Sequence, residues 1–514
     1  MGEQKPKCAI ADYGVIGNEL TAALVSRSGS IDWFCAPNFD SEPSLCKLLD
    51  YGEGGSCEIQ VADLESSSRR YLGQSNILET RFQSSSGVLL VQDFMPWHTA
   101  GDRSADGHYA GSSSVVRIFK CEQGSVSFKV SIRFTIGFEL KKPAIRRMGA
   151  AEVFAVCAGD QGMRVYATQG TLEVRGEHIT MCSHLQAGEE TALVLEYAAH
   201  APEQGSAPGN VSEWFLRTRE FWEQWSAKCR YRGEYKDAVL RSALALKLLV
   251  FEPTGALLAA ATTSLPEALG GPLNWDYRFV WLRDSSFTLR ALLGLGYHEE
   301  ANRFFRFLHD SVPQSGIRTL YTLYGAVPAD EYEVKKLNGF CGSRPVRVGN
   351  EASGQLQLDI FGELVDCIDL FLRHEEMHDG EEETLWSLTE KAAEAVCRLW
   401  RQPDESIWET RLGARQFVHS KVMCWVALDR ALRIGKHCKA HANFEQWRSV
   451  REEIHRSIEE EGFDSQLGAY TQAYNAKDLD ASVLRLPLLR FIESGHARMR
   501  STMQAIEKTL MKNR

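Results

Sequence analysis

Eleven consecutive residues, Asn274-Trp275-Asp276-Tyr277-Arg278-Phe279-Val280-Trp281-Leu282-Arg283-Asp284, hold four aromatic, two arginine and two aspartate side chains. Aromatic faces stack on the C–H surfaces of sugars, while arginine and aspartate form paired hydrogen bonds to neighbouring hydroxyls. The mixture suits a saccharide subsite. It also suits a plain buried Arg–Asp pair at the start of the helix that Asp284 opens. A second segment, Asp404-Glu405-Ser406-Ile407-Trp408-Glu409-Thr410-Arg411, sets Glu409 directly after Trp408. An aromatic neighbour of that kind desolvates a carboxyl group, the condition for an acid that donates a proton. His374-Glu375-Glu376-Met377-His378 has the H-E-x-x-H spacing of zinc proteases, but it ends an apolar helix and runs into an acidic loop. His437 and His441 sit between two helices, where a surface position is the plainer reading. No metal site and no cofactor is expected. The chain has no G-x-G-x-x-G or G-K-[ST] phosphate loop and no G-x-S-x-G nucleophile elbow.

The elements that must position these residues fall into two halves with different periods. From Ala11 to about Thr218 the chain reads as short strands and turns. Ser125 to Phe134 alternates almost perfectly; with Val115 to Cys121 before it and Glu122-Gln123-Gly124 between, the segment reads as a hairpin with one buried face. Leu89–Phe94, Arg164–Thr168 and Thr191–Tyr197 repeat the pattern, so an antiparallel β-sandwich is expected over residues 1–225, with its linker. After Trp225 the period becomes helical. Helices are predicted at roughly 235–251, 284–294, 298–311, 355–373, 384–401, 417–435, 441–460, 481–491 and 497–511. No strand–helix alternation appears among them, and residues 226–514 read as antiparallel helix pairs.

Composition narrows the function. The chain has 514 residues, 44% hydrophobic and 25% charged, an ordinary globular balance. Its formal net charge of −10, with no sustained run of Lys and Arg, disfavours nucleic acid as a partner and suits a neutral, polyhydroxylated substrate. The thirteen cysteines are scattered without a Cys-x-x-Cys pair, and no apolar leader core opens the chain. Gly2 lacks the Ser or Thr a myristoylation signal needs, since Pro6 stands there. The most apolar stretch, 243–261, is broken by Lys247, Glu252 and Pro253. A cytoplasmic protein with no membrane partner is the expectation.

Longer stretches carry a resemblance. Asp12-Tyr13-Gly14-Val15-Ile16-Gly17, then Arg27-Ser28-Gly29-Ser30-Ile31-Asp32-Trp33-Phe34-Cys35, resembles the opening of glycoside hydrolase family 15, the bacterial-type glucoamylases and trehalases. Leu78-Glu79-Thr80-Arg81-Phe82, Asp93-Phe94-Met95-Pro96, Thr263-Ser264-Leu265-Pro266-Glu267 and the Asn274–Asp284 segment continue it in order. So do Arg344-Pro345-Val346-Arg347-Val348-Gly349-Asn350, Gln355-Leu356-Gln357-Leu358-Asp359, His419-Ser420-Lys421 and Leu479-Asp480-Ala481-Ser482.

The resemblance implies a β-sandwich followed by an (α/α)6 helical toroid. It also implies inverting hydrolysis of α-glucosidic bonds, in α,α-trehalose or at α-1,4-glucan ends, by two carboxyl groups on opposite faces of the sugar. Glu409 corresponds to the general acid. Arg283 and Asp284 correspond to the pair gripping the terminal glucose, with Trp275, Asp276, Trp281 and Trp408 near them; Arg347, Lys421 and Asp480 are further pocket candidates. The family's general base lies in a Glu-Gly-x-Phe-type segment that this sequence lacks. An incomplete toroid of about nine of twelve helices is therefore expected, shortened at its C-terminus, with an open apolar flank that favours self-association. The alternative to an active enzyme is a catalytically impaired sugar-binding or regulatory relative.

Overall fold

The computed structural model describes residues 9–97, 113–158, 161–200, 210–373, 381–411 and 413–511. The H-E-x-x-H residues 374–378 lie outside them. The described chain packs as two compact units, the first comprising residues up to 253 with 258–278 and 331–350, the second 254–257, 279–330 and 351 onward.

The first unit is an antiparallel sandwich. Its spine is Ser114–Arg133, 20 residues in one continuous strand where a hairpin was expected. Gly124 takes a left-handed φ of +67° beside the backbone of Ser86 and Gly87. The ladder to Gly87–Phe94 shifts register there, so Gly124 bends the strand instead of reversing it. The first half pairs with Gly87–Phe94 and Glu190–Ala198, the second with Ser56–Val61 and His178–Gln186. One strand thereby belongs to both sheets. Its inward residues Val115, Phe119, Val126, Val130 and Ile132 share a core with Phe34, Phe82 and Leu193.

Inside this sandwich Arg117 is fully buried on Asp93, its register partner across the ladder, at 2.7 and 3.2 Å. The same guanidinium donates to the carbonyls of Gly29 at 2.5 Å and Cys57 at 3.1 Å, in the facing sheet. It spans the core as a strut. Helix α1 (Val211–Ala227) opens on an Asn210 cap, where the sequence pattern predicts strand and turn as far as Thr218. Its Val211, Trp214 and Phe215 cover Ile77, Phe94, Val116 and Val194 on the outer sheet face. Helix α2 (Lys236–Leu248) completes the helices of this unit.

The second unit holds α3 (Leu282–Leu295), α4 (Glu299–Ser315), α5 (Asp359–Leu372), α6 (Glu381–Leu399), α7 (Val418–His437), α8 (Phe444–Glu461) and α9 (Ala497–Leu510). Helices α3, α5 and α7 are neighbours in series, as are α4, α6 and α8, each of the latter backing its partner. Helices α5 and α7 are buried nearly all round, as an inner layer must be, whereas α8 buries only Trp447, Ile454 and Ile458. Gly362 lets α5 approach α7: a Cβ there would stand 2.3 Å from the Met423 carbonyl. The helix expected at 481–491 is only a 3-10 turn, Ala481–Arg485, because Pro487 lacks the N–H that would continue it. Among the described residues no helix is long and apolar enough to cross a membrane.

The Arg117 strut yields a prediction. Arg117→Met leaves Asp93 buried without a partner and is expected to cost about 3–5 kcal/mol. Arg117→Met/Asp93→Leu recovers most of that. Urea unfolding of the full chain reads both, and a single variant as stable as the parent would sink the strut.

Candidate active site

The second unit gathers carboxyl groups around one guanidinium. The short strand Val280–Trp281 pairs with Leu320–Tyr321, and α3 begins at the next residue, which fixes Trp281, Arg283 and Asp284 in one turn. The buried Arg283 donates through Nη1 to Gln357 Oε1 at 2.6 Å and to Asp359 Oδ2 at 3.3 Å. Through Nη2 it reaches Glu409 Oε1 at 2.8 Å, and its Nε stands 3.7 Å from Asp284 Oδ2. Three carboxylates therefore divide one positive charge. Burial pushes the Asp284 carboxyl above its usual range, opposed by Arg283 and helped by Glu409.

Glu409 takes its second bond from an unexpected direction. Trp281 Nε1 donates to Oε1 at 2.6 Å, so the indole and the guanidinium hold the same oxygen. Among the described residues Oε2 accepts no hydrogen bond, and the side chain keeps 20% of its surface exposed. The sequence placed Trp408 beside Glu409, but Trp408 is 59% exposed and donates Nε1 to Asp480 Oδ2 at 2.7 Å. The cause is local: Glu409 has a left-handed φ of +53°, turning the carboxyl away from its sequence neighbour. The aromatic residue that touches the Glu409 carboxyl is Trp281, 128 residues earlier.

The loop that bends so is pinned by Asp404. Backbone bonds of 2.9 Å join Asp404 and Arg415 in both directions. The buried Asp404 Oδ2 accepts from the N–H groups of Leu358 at 3.1 Å and Ser406 at 3.2 Å. Burial, reinforced by Asp359, pushes its carboxyl up to about 7. One side chain thereby links the Glu409 loop to the start of α5.

The other predicted residues divide. Lys421 is buried and donates to the Trp400 and Gln402 carbonyls, both at 2.6 Å, finishing the end of α6. Asp480 receives Trp408 and caps the turn at Ser482 N, 2.7 Å. Trp275, Asp276 and Arg347 belong to the first unit. There Asp276 forks onto Arg278 at 2.8 and 2.9 Å, and Arg347 lies 4.3 Å over the Trp275 ring while paired with Glu331. Arg278 with Asp276 is therefore a buried Arg–Asp pair away from the helix start, whereas at the first turn of α3 Asp284 stands 3.7 Å from Arg283 and, among the described residues, no side chain caps the helix. His437 and His441 are exposed, and among the described residues no group of three His, Cys, Asp or Glu side chains is placed to hold a metal ion.

Sequence reasoning assigned no role to Gln357, Asp359, Asp404, His419, Glu363 or Arg485. Arg485 is paired with Glu363 and donates to His419 Nε2 at 3.2 Å. Burial, with Arg485 beside it, drives His419 down to about 3, so the imidazole is neutral. The spacing 359, 363, 366, 369 was the available signal: an acidic stripe along an otherwise apolar helix.

Two of these groups give opposite pH dependences. His419 is neutral in the fold but protonates in the unfolded chain below about 6.5, so stability is lost as pH falls from there towards about 3. Asp404 keeps its proton up to about 7, whereas an unfolded aspartate releases it near 3.8, so stability is gained as pH falls over that range. Asp404→Asn removes the gain and is expected to steepen the acid-side loss by up to about 1.4 kcal/mol per pH unit. His419→Gln flattens it. Denaturant unfolding at several pH values between 4 and 8 reads both slopes; parallel curves for parent and variants would contradict the placement.

The likeness to known proteins extends over nearly the whole chain. Residues 233–514 match "Glycosyl hydrolases family 15" and residues 1–193 match "Trehalase-like, N-terminal". A trehalase of Thermoplasma volcanium is 33% identical over 505 residues, 97% of this chain and 78% of that protein. A trehalase of Mycobacterium tuberculosis is 34% identical, covering 99% of this chain and 76% of that one. Trehalase 1 of Sulfolobus acidocaldarius is 35% identical, covering 97% and 82%. In fold, the chain is similar to a bacterial glucoamylase solved with acarbose, with a TM-score of 0.67 at 13% identity over 99% of this chain and 80% of that one. The chain belongs to family 15 of the glycosyl hydrolases.

Proposed function

We propose that this protein hydrolyses the α-glucosidic bond of α,α-trehalose to glucose with inversion, and that Glu409 is its general acid. The observation that carries the reading is the one-sided grip on Glu409. Trp281 and Arg283 hold Oε1, which leaves Oε2 as the oxygen to carry a proton to the glycosidic oxygen. Sharing Arg283 with Asp284 and Asp359 keeps its charge from being spent wholly on the acid. Asp284, 47% exposed at the first turn of α3 and beside the same guanidinium, presents acceptors for sugar hydroxyls. Asp480 and Trp408 extend the set with an exposed indole face of the kind that stacks on a sugar ring.

Inversion pairs the acid with a second carboxylate that activates water across the ring, roughly 6.5–9.5 Å away. Asp359 is buried against Arg283 and has no face open to such a water, and we assign no described residue to that role. Trehalose is preferred over glucan ends because trehalases at 33–35% identity align over nearly the whole chain. A cytoplasmic setting fits the twelve described cysteines, all free thiols.

The test is glucose release from trehalose and from maltotetraose, with the product anomer followed by NMR. Trehalose is expected to be cleaved, giving one β-glucose per event. Glu409→Gln is expected to lower kcat by about 10²–10⁴ with KM little changed. Saccharide binding without release by the parent chain supports the non-hydrolytic alternative. Release unchanged in the variant removes Glu409 from the role.

A further inference from the structure

The sandwich unit contains a cavity of about 820 Å³, built wholly within that unit and lined by none of the residues around Arg283. Its floor is Asp32 on strand Ile31–Cys35, its walls are the turn carrying Lys47, Asp50 and Tyr51, and its far edge is the segment 338–344. That volume lies inside the roughly 300–1,000 Å³ range of small-molecule sites.

Two buried carboxylates fix its shape. Asp50 Oδ1 takes the N–H groups of Gly52 at 3.1 Å and Glu53 at 2.9 Å, while Oδ2 takes Asn338 through N at 3.2 Å and Nδ2 at 2.9 Å. Both rims therefore hang on one side chain, and the opening is preorganised. Arg344 is bonded to the Asn338 side chain, which holds a guanidinium at the edge. On the floor Asp32 accepts from Tyr13 Oη at 2.7 Å and Ser30 Oγ at 2.5 Å. A carboxylate offers about four lone-pair sites, so acceptor capacity remains there.

The ligand chemistry follows from what these groups need. Asp32 calls for donors, Arg344 for acceptors, and a ligand group that supplies both is the hydroxyl. Tyr51, 66% exposed, offers a flat apolar face, with Lys47 Nζ 4.7 Å over its ring. Asp32, Asp50 and Glu53 outnumber Lys47 and Arg344, and Lys47 is itself paired with Glu58 at 2.6 Å, so the lining is net acidic and an anion such as phosphate would meet the buried Asp32. A cation lacks ligands, since no group of three suitable side chains is present among the described residues. Carboxylate and guanidinium for vicinal hydroxyls, with an aromatic face for ring C–H groups, is the combination that recognises a pyranose.

We propose that this cavity is a second saccharide-binding site, distinct from the cluster around Arg283 and sized for a disaccharide or short oligosaccharide. It goes beyond the proposed hydrolysis and stands without it. The probes are trehalose, maltose and maltotetraose, titrated calorimetrically into the full chain carrying Glu409→Gln so that no sugar is consumed, with inorganic phosphate as a control. At least one saccharide is expected to show a binding event at the sandwich cavity, in addition to any at the Arg283 cluster. Tyr51→Ala is expected to weaken the event at the cavity about three- to tenfold and Arg344→Ala by tenfold or more. Circular dichroism and an unchanged unfolding midpoint show that the variants fold. No saccharide binding, saccharide binding that neither Tyr51→Ala nor Arg344→Ala weakens, or phosphate binding in place of sugar overturns the proposal. None of these outcomes touches the hydrolase reading, which glucose release decides.

Discussion

The candidate site depends on how one buried guanidinium is shared. Arg283 is surrounded by Asp284 on its own helix, Asp359 at the start of α5 and Glu409 on the 404–411 loop. Taking an arginine out of water costs several kcal/mol unless its donors are met by well-placed acceptors. Here three carboxylates and the Gln357 amide oxygen meet them, which forces α3, α5 and the loop into one arrangement. No single carboxylate receives the whole charge. Fixed position with divided charge lets a group such as Glu409 be oriented by an arginine without being neutralised by it alone.

The same device recurs along α5. Asp359, Glu363, Asp366 and Asp369 fall at three- and four-residue steps, one face of a helix. Each meets arginine: Arg283, Arg485, then Arg290 with Arg430, then Arg373 with Arg433. Apolar packing alone tolerates sliding of one helix past another. A row of buried carboxylates paired with arginines on neighbouring elements does not, because a slip by one turn leaves buried charges without partners. The row therefore fixes the register of α5 against α3 and α7, and so the position of Asp359 at its end.

Patterns confined to one element were legible in the sequence, and pairings between distant elements were not. Alternation in 87–94 and 190–198 and the helical periods of α5, α6 and α7 come directly from side-chain burial, which leaves a local trace. Helix α1 had such a trace too, in Val211, Thr218, Trp222 and Trp225, but the preceding strands masked it. The 115–134 segment alternates whether it turns back or bends, and only the contact of Gly124 with Gly87 decides between them. Asn274–Asp284 reads as a single motif, yet Arg278 closes one compact unit and Phe279 opens the other. Glu409 was visible as a candidate, but its real neighbour Trp281 is 128 residues away, beyond any local pattern.

Backbone strain explains why Asp404 matters although it faces no sugar. Ser406 and Glu409 both hold left-handed φ angles, +61° and +53°, which cost of order 1–3 kcal/mol each for residues with a Cβ. Such a loop persists only if its ends are over-determined. Asp404 supplies this through two backbone bonds to Arg415 and two accepted N–H bonds, one of them from Leu358 beside Asp359. Burial and the neighbouring Asp359 push its carboxyl up to about 7. Ionisation there strengthens the accepted bonds but adds a buried negative charge next to another, so protonation trades loop tension against charge repulsion. The orientation of Glu409 is thus coupled, through the backbone and not through contact, to a carboxyl five residues earlier.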